Sequence, residues 1–508
     1  MRYVIGTDVG TSGTKTVLFD EKGKKIASST VEYPLYQPHN GWAEQTPEDW
    51  ENAAIQSISK VISDSGVNPA DISGVGLTGQ MHGLVMLDDE CRVLCPSIIW
   101  CDQRTGAECE LIEKLMTRKR LIEITANPAL TGFTASKIMW VKNNRPEIFA
   151  KCRHILLPKD YIRFVLTGCF ATDVSDASGM QLMNISGRCW SDEVFETLGI
   201  DKSLAPRLYE SQEITGYITE KAAKLTGLLK GTPVVAGAGD NAAAAIGVGV
   251  VKNGTAFTTI GTSGVVFAHT DSPLIDAHGR VHTFCHAVKG KWHVMGVTQA
   301  AGLSLRWLRD TVCTEEIREA DGKSVDPYII MDKEAENSPV GANRLLYMPY
   351  LMGERTPHLD PDARGAFIGL SAMHKRGDMI RAVLEGVCYS LKDCAGILAE
   401  MGVCPDDMKL CGGGAKSPFW RKMLSDVYGI NCSITECDEG PAFGAAILAM
   451  VGTGIYGDVE KACSELVKIK SSNVYDKALN REYDSFYGIY KNLYSHLKND
   501  FSLLAKIQ

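Results

Sequence analysis

The chain has 508 residues and a formal net charge of −8 at pH 7, and 45% of its residues are apolar while 22% are charged. This length exceeds what one hydrophobic core usually serves, so we expect two large domains of the soluble α/β class. The acidic balance, without any block of Lys or Arg, excludes a surface built for nucleic acid or anionic membranes.

The 16 cysteines include no C-x-x-C pair. This spacing disfavours a zinc site or a disulfide framework and predicts reduced thiols. The chain enters a predicted strand within its first residues, and no apolar run is long enough to cross a bilayer. We therefore expect a cytoplasmic protein.

The first motif is a loop between two predicted strands. Residues 3–8, 16–19 and 26–33 have the pattern of a β-meander. The loop between its first two strands contains Thr11 and Ser12, whose hydroxyls and backbone N–H groups suit a bound phosphate. Asp8, at the end of the first strand, is placed to hold a hydrated metal ion.

A second polar loop follows the strand predicted at 74–78. It contains Gln80, Met81 and His82 between two glycines. Gln80 and His82 can donate and accept hydrogen bonds, as a polyol requires, and Met81 offers an apolar face. A solvated loop histidine is an equally open alternative. Residues 103–230, with mixed helical and loop patterns, are predicted to be insertions in the first domain.

The stretch 233–247 is predicted to be the hinge around which the chain is organised. Its apolar, β-favouring start leads into Gly237 and Gly239, and an alanine run then begins a helix. Asp240 therefore lies at a strand-to-helix corner, where α/β sheets bind ligands, and is a candidate general base. The alternative is that Asp240 only caps the helix.

The tetrapeptide Gly-Thr-Ser-Gly occurs twice, starting at Gly10 and at Gly261, and both copies lie between two predicted strands. Recurrence in the same strand–loop–strand context indicates an internal duplication. We expect an N-terminal domain over 1–246 and a C-terminal domain over 247–508, each presenting a phosphate loop to a common cleft. Thr262 belongs to the second loop.

Three consecutive glycines, Gly412, Gly413 and Gly414, follow a predicted strand in the second half. Because no side chain is in the way, a flat base and its ribose can pass close to this backbone. A tight strand-to-helix turn is the alternative. Two phosphate loops, an acid at a strand end and a carboxylate on the hinge together predict a phosphoryl-transfer enzyme.

Two other classes of function remain open. The pattern Gly237-x-Gly239-x-x-Ala242 matches a dinucleotide-binding fingerprint of an oxidoreductase, but residues 258–262 lack the acid that this fingerprint requires. A non-catalytic, actin-like nucleotide switch would keep both phosphate loops, but it would not need the Gln-Met-His loop.

Seven motifs, spread over nearly the whole length, resemble those of the FGGY family of carbohydrate kinases. They are DVGTSG at 8–13, GQMHG at 79–83, IIWCDQRT at 98–105, LPKDY at 157–161, GDNAA at 239–243, GERTPH at 353–358 and GGGA at 412–415. The resemblance implies two ribonuclease H-like domains of the actin and hexokinase superfamily, with ATP, Mg²⁺ and a sugar in the cleft between them.

The same resemblance implies a role for each candidate residue. Asp240 would be the base on the primary hydroxyl of the sugar, and Asp8 would serve the metal. The residues that would bind the sugar are Met81, His82 and Asn241. Those that would bind ATP are Thr11, Ser12, Thr262, Gly412, Gly413 and Gly414.

Within the family, the resemblance implies phosphorylation of D-xylulose to D-xylulose 5-phosphate. Ribulose, gluconate, a deoxy sugar and glycerol are alternative acceptors, because the orientation of one hydroxyl separates such substrates. Cys101, where many relatives carry Asn, and Met352 depart from the family pattern, and both side chains hydrogen-bond poorly. A homodimer is the expected assembly.

Overall fold

The computed structural model of the chain describes residues 1–507. In the first half, residues 1–247, the strands are β1 (Tyr3–Val9), β2 (Gly13–Asp20), β3 (Lys25–Glu32), β4 (Glu44–Gln45), β5 (Ile72–Gly79), β6 (Val85–Leu87), β7 (Ser97–Ile98), β8 (His154–Leu156), β9 (Ala171–Asp173), β10 (Met183–Asn184), β11 (Cys189–Trp190), β12 (Arg207–Tyr209), β13 (Ile214–Tyr217), β14 (Pro233–Val235) and β15 (Ala238–Gly239). The helices are α1 (Pro47–Ser65), α2 (Gly106–Met116), α3 (Arg118–Thr125), α4 (Thr134–Asn144), α5 (Pro146–Phe149), α6 (Pro158–Thr167), α7 (Val174–Ala177), α8 (Asp192–Leu198), α9 (Glu220–Thr226) and α10 (Asp240–Gly247).

The second half, residues 248–507, has fewer strands and longer helices. Its strands are β16 (Thr255–Ile260), β17 (Gly264–Thr270), β18 (His282–Cys285), β19 (Trp292–Thr298), β20 (Leu346–Met348), β21 (Ala366–Ile368), β22 (Asp407–Cys411), β23 (Cys432–Thr435) and β24 (Ile469–Asn473). Its helices are α11 (Gly302–Thr311), α12 (Thr314–Lys323), α13 (Pro327–Glu336), α14 (Arg376–Glu400), α15 (Pro418–Tyr428), α16 (Gly440–Gly452), α17 (Val459–Leu466) and α18 (Lys477–Leu504).

The first half is built around one mixed sheet. Its strands lie in the order β13-β14-β5-β1-β2-β3, and β15 also pairs with β5. Strands β1, β2 and β3 form the antiparallel meander that the sequence predicts, while β5 runs parallel to β1. Nearly all residues of β1 and β5 are buried, because helices cover both faces of the sheet.

The second half repeats this arrangement. Its sheet has the order β18-β19-β17-β16-β22-β23-β24. Strands β16, β17 and β19 form an antiparallel meander, β22 runs parallel to β16, and β23 runs parallel to β22. The series β3-β2-β1-β5-β14 and β19-β17-β16-β22-β23 therefore have the same order and directions. The fold predicted from the repeated tetrapeptide, two duplicated α/β domains, is confirmed.

Helices α10 and α16 pack against each other across the boundary between the two halves. Each follows the last parallel strand of its own sheet, and glycine lets them approach closely. A Cβ on Gly247 would overlap the carbonyl oxygen of Gly440, and one on Gly444 would overlap that of Ala243. Helix α16 also packs directly on β1 and β5, so a helix from the second half covers the first sheet.

Part of the stretch 103–230 belongs to the first sheet instead of decorating it. Strand β13 pairs with β14 at the edge of that sheet, and α6 packs against α1 and β5. Helices α2, α3, α4 and α8 form a separate apolar core beside the sheet. Within residues 1–507, none of the helices is both long enough and apolar enough to cross a membrane.

Candidate functional site

The strand ends of the first sheet bring two carboxylates together. Thr78 on β5 lies opposite Asp8 of β1 on one side and opposite Ala238 of β15 on the other. Asp240 follows β15 directly as the first residue of α10. Both carboxylates therefore stand at the same edge of the sheet, where open α/β sheets bind their ligands.

Asp240 does not cap its helix, since the N-cap position is held by Gly239. The Oδ1 atom of Asp240 accepts hydrogen bonds from the backbone N–H of Asn241 at 2.7 Å and from its side-chain Nδ2 at 3.0 Å. Among residues 1–507 no group donates to Oδ2, which is left for a ligand. Burial raises the pKa of Asp240 to about 6, although the Asn241 hydrogen bonds oppose this shift.

Asp8 has an unsatisfied oxygen. Its Oδ1 is buried without a hydrogen-bond partner in the described chain. Burial, and next the charge of Asp240, raise the pKa of Asp8 to about 7, while Lys15 acts in the opposite direction. Lys15 itself pairs with Glu439, the residue that precedes α16. A divalent cation would satisfy the orphaned oxygen and offset the repulsion between Asp8 and Asp240, so this donor set fits Mg²⁺.

Thr11 and Ser12 form the turn between β1 and β2, close to these carboxylates. The backbone N–H of Gly10 donates to the carbonyl of Gly13 at 3.1 Å and closes the turn. The Thr11 hydroxyl accepts a 2.9 Å hydrogen bond from Trp100 Nε1, whereas Ser12 is exposed. Of the two hydroxyls, that of Ser12 is therefore the more available to a ligand.

Thr262 occupies the corresponding turn of the second sheet. The backbone N–H of Gly261 donates to the carbonyl of Ser263 at 3.0 Å, so this turn closes much as its counterpart does. The Thr262 carbonyl accepts hydrogen bonds from the N–H groups of Ala301 and Leu303, at 3.0 and 3.1 Å, which ties the turn to the start of α11. The Thr262 side chain is exposed.

The three glycines follow β22 and lie beside the second turn. Gly412 has a φ of 82°, and a Cβ there would lie 2.6 Å from the carbonyl oxygen of Ile260. Gly414 packs against the Ile260 side chain. Gly413 is exposed, and a Cβ on it would have no neighbour within 4 Å. The run therefore has two tightly packed glycines and one that faces open space.

Met81 and His82 lie beside the hinge. A Cβ on Gly239 would be 3.0 Å from Met81 Cγ, so Met81 packs directly against the residue before Asp240. His82 has a φ of 71°, and its Nδ1 is 2.8 Å from the carbonyl of Gly179. Its ring stacks on Phe133 with the centroids 4.7 Å apart. His82 is therefore a ring held in place by its neighbours and not a solvated loop histidine.

The protonation state of His82 follows from its surroundings. Burial, assisted by the charges of Lys137 and Arg355, lowers the pKa of His82 to about 3. The ring is neutral near pH 7, and since Nδ1 faces a carbonyl oxygen it must carry the proton. Nε2 is left as a hydrogen-bond acceptor.

Lys137 lies within the candidate site, although the sequence did not single it out. Its fully buried ammonium donates to the carbonyls of His82 at 2.9 Å and Gly132 at 2.7 Å. Burial lowers the pKa of Lys137 to about 7. On helix α4 it resembles any other lysine in sequence, and only the fold shows that it holds the two loops of the pocket together.

A buried ionic cluster contacts the backbone of the hinge. Lys159 and Arg163 on α6 both donate to the carbonyl of Ala236, at 3.3 and 2.7 Å, four residues before Asp240. Their charges are balanced by fully buried carboxylates, which are Asp160, Asp173 and Asp176. Such a network holds the strand end that carries Asp240 rigidly.

The candidate residues thus fall into two groups. The first sheet and its loops bring together Asp8, Thr11, Ser12, Met81, His82, Asp240 and Asn241. The second sheet brings together Thr262 and the glycines 412–414. Cys101 is partly buried and Met352 is exposed, and neither forms a side-chain hydrogen bond within the described residues.

Comparisons with known proteins show the family of the chain. The family model "FGGY family of carbohydrate kinases, N-terminal domain" matches residues 3–247, and the C-terminal model of the same family matches residues 256–453. A xylulose kinase of Bacillus subtilis is 40% identical over 501 residues, which is 98% of each chain. A gluconokinase of the same organism is 33% identical over 513 residues, covering 100% of this chain and 98% of that one.

A solved structure shares the whole fold. The ligand-bound xylulose kinase from Lactobacillus acidophilus superposes with a TM-score of 0.92 at 26% identity, over 99% of this chain and 100% of that one.

Proposed function

The chain belongs to the FGGY family of carbohydrate kinases, and we propose that the sugar it phosphorylates is D-xylulose, with D-xylulose 5-phosphate and ADP as products. The family establishes an ATP-dependent kinase that acts on a small-molecule sugar. The choice of D-xylulose is supported by the xylulose kinases among its relatives. The role of each residue is proposed from the site geometry.

The observation that carries the mechanism is the Asp240 carboxylate, which stands beside the sugar loop with one oxygen unpartnered. As the terminal hydroxyl of the sugar attacks, its proton passes to Oδ2 of Asp240. A bond forms between the sugar oxygen and the γ-phosphorus, the bond from that phosphorus to the β,γ-bridging oxygen breaks, and ADP leaves. The raised pKa makes Asp240 a stronger base than an ordinary carboxylate while leaving it ionised near pH 7.

Asp8 is the residue proposed to hold Mg²⁺, which when bound to ATP neutralises phosphate charge. Within residues 1–507 no group of three or more His, Cys, Asp or Glu side chains is placed to bind a metal alone. Magnesium in kinases is commonly bound by one or two carboxylates together with phosphates and water, and Asp8 with its orphaned oxygen suits that pattern.

The nucleotide is proposed to bind along the second sheet. The turns at Thr11–Ser12 and at Thr262 offer backbone N–H groups and hydroxyls to the phosphates. Gly413, with open space above it, lets the nucleoside approach the backbone. Binding between the two halves excludes water, which would otherwise compete with the sugar as the phosphoryl acceptor.

The sugar is proposed to lie along Met81 and His82. His82 Nε2 accepts a hydrogen bond from a sugar hydroxyl, and Met81 contacts the carbon chain. Asn241 uses its Nδ2 on Asp240 and keeps its amide oxygen for the substrate.

The proposal is tested by a panel of pentuloses, hexuloses, polyols and gluconate, compared by kcat/KM with ATP and Mg²⁺. D-Xylulose should give the highest value. Gluconate is the competing acceptor, because a gluconokinase is among the relatives. A higher kcat/KM for any other acceptor would overturn the choice of D-xylulose, and ATP turnover that does not depend on added sugar would indicate a nucleotide switch instead.

A further inference from the structure

The segment that carries Arg355 is fixed firmly to the second sheet. Glu354 accepts hydrogen bonds from the Thr298 hydroxyl at 2.6 Å and from the N–H of Gln299 at 3.0 Å. Thr356 exchanges hydrogen bonds with Val297, with both N···O distances 3.0 Å. Arg355 lies between these two anchored residues. Its backbone is therefore held firmly beside the end of β19.

Its guanidinium reaches the residues of the first half that are proposed to bind the sugar. Arg355 Nη2 lies 3.9 Å from the position that a Cβ on Gly132 would take, and Gly132 is held by Lys137. The Arg355 charge contributes to the lowered pKa of both His82 and His282, after burial and, for His82, after Lys137. Arg355 thus stands beside His82.

Arg355 has no carboxylate partner, in contrast to three other enclosed arginines. Arg104 pairs with Asp102, Arg163 with Asp160 and Arg381 with Glu385, each at 2.7 Å. Within residues 1–507 the Arg355 guanidinium forms no ion pair and donates no hydrogen bond, and burial lowers its pKa. The guanidinium of this partly buried residue therefore keeps its five N–H donors available for a ligand.

We propose that Arg355 is a substrate-binding residue that donates hydrogen bonds to the oxygen atoms of the sugar remote from the hydroxyl that is phosphorylated. This inference rests on the proposed function. The pocket wall runs from Asp240 through Gly239 and Met81 to His82, and then through Phe133 and Gly132 to Arg355. A sugar with its reacting hydroxyl at Asp240 therefore extends toward Arg355.

The chemistry of the remote end suits a guanidinium. In a 2-ketose this end carries a carbonyl oxygen and a neighbouring hydroxyl, and the planar fork of arginine can donate to two adjacent oxygens at once. Because Arg355 belongs to the second half whereas Met81, His82 and Asp240 belong to the first, a bound sugar is held by both halves.

The test compares Arg355→Gln with Arg364→Gln as a matched control. Arg364 lies on the same segment but is exposed, and its guanidinium donates only to the carbonyls of Pro361 and Ala363. Arg355→Gln should raise the KM for D-xylulose roughly 10- to 100-fold, because a hydrogen bond from a charged donor is lost. The KM for ATP should change by less than about twofold, and Arg364→Gln should behave as the wild type.

Glycerol separates substrate binding from a structural role. It offers a primary hydroxyl to Asp240 but has no atoms that extend to Arg355. Turnover of glycerol at high concentration should therefore be the same in the wild type and in Arg355→Gln. Loss of glycerol turnover together with D-xylulose turnover, or an unchanged KM for D-xylulose, would overturn the inference.

Two further outcomes are informative. If Arg355→Gln does not fold, Arg355→Lys is measured instead, and a rise in the sugar KM of at least about tenfold supports the inference while an unchanged KM overturns it. If the wild type does not phosphorylate D-xylulose, the proposed substrate is wrong, and Arg355 is then judged in the same way on the longest acceptor of the panel that is phosphorylated.

Discussion

The carboxylates of Asp8 and Asp240 lie close enough for the charge of Asp240 to raise the pKa of Asp8. Their strands flank the same strand, β5, and Thr78 is the register partner of Asp8 on one side and of Ala238 on the other. This arrangement places a metal-binding candidate and a proton-accepting candidate at one edge of one sheet.

Replacing Asp240 with Asn should abolish sugar phosphorylation. The amide keeps the shape of the side chain but cannot accept the proton, so kcat should fall by roughly two to four powers of ten. ATP affinity, measured by direct titration, should stay close to that of the wild type. A variant that keeps most of its kcat would remove Asp240 from the role of base.

The rate should depend on the ionisation of Asp240. Burial raises its pKa to about 6, so the carboxylate that serves as base is lost as the pH falls below 6. At saturating Mg²⁺, which keeps Asp8 ionised, we expect kcat/KM for the sugar to decline about tenfold per pH unit below that point and to level off above about pH 7. A profile that stays flat down to pH 5 would show that the pKa of the base is not raised.

Replacing His82 with Ala should weaken sugar binding without affecting ATP. The change removes the Nε2 acceptor and the ring that stacks on Phe133, so the sugar KM should rise by about tenfold or more. Because His82 is neutral at every pH above about 3, it should add no step of its own to the rate profile between pH 5 and 8. A parallel rise in the ATP KM would indicate that the substitution had disrupted the loop around His82 and had not only removed the contact between His82 and the sugar.

Substitution by valine should have different effects on stability at two neighbouring glycines. At Gly413 the backbone is helical and a Cβ has open space, so Gly413→Val should leave the Tm unchanged but obstruct the nucleoside and raise the ATP KM. At Gly412 the φ of 82° and the nearby Ile260 carbonyl oppose any side chain. Gly412→Val should destabilise the fold by about 1–3 kcal/mol. Equal effects of the two variants on the Tm would contradict this assignment.

Acid should destabilise the second half through a buried histidine. Neither ring nitrogen of His293 has a hydrogen-bond partner among the described residues, and its ring stacks on Phe267. Burial lowers the pKa of His293 from 6.5 to about 3, so the unfolded chain binds more protons between these values. Its contribution to the free energy of unfolding should fall by about 1.4 kcal/mol per pH unit below 6.5 and be constant above it.

The variant that checks this is His293→Phe, with the exposed His278→Phe as its control. Denaturant unfolding at pH 8 and pH 5 should show a smaller loss of stability for His293→Phe than for the wild type, and an unaltered loss for His278→Phe. If His293→Phe loses as much stability as the wild type between the two pH values, His293 does not titrate on unfolding as its burial implies.

Several features were predictable because their signals are local. The turns at Thr11–Ser12 and at Thr262 repeat one tetrapeptide between strands, and alternation of short polar and apolar runs marks the strands on either side. The corner at Asp240 was predictable because glycine, aspartate and an alanine run stand next to one another. The fold class and the family followed from such motifs. Whether Asp240 is the base remains a prediction.

Other features depend on contacts between distant parts of the chain. No local pattern distinguishes Lys137 from a surface lysine, or Arg355 from an arginine with a carboxylate partner. The packing of α16 of the second half on β1 and β5 of the first is likewise a contact that no local pattern predicts. Burial by residues far away in sequence decides each of these cases.

By itself, the sequence determined the duplicated architecture, the family and the positions of the polar loops, since each is encoded by residues within a few positions of one another. Only the tertiary structure decided which charges are left unpaired and which pKa values are shifted. Both depend on desolvation and on the electric field of neighbouring groups, and these exist only once the two halves have packed together.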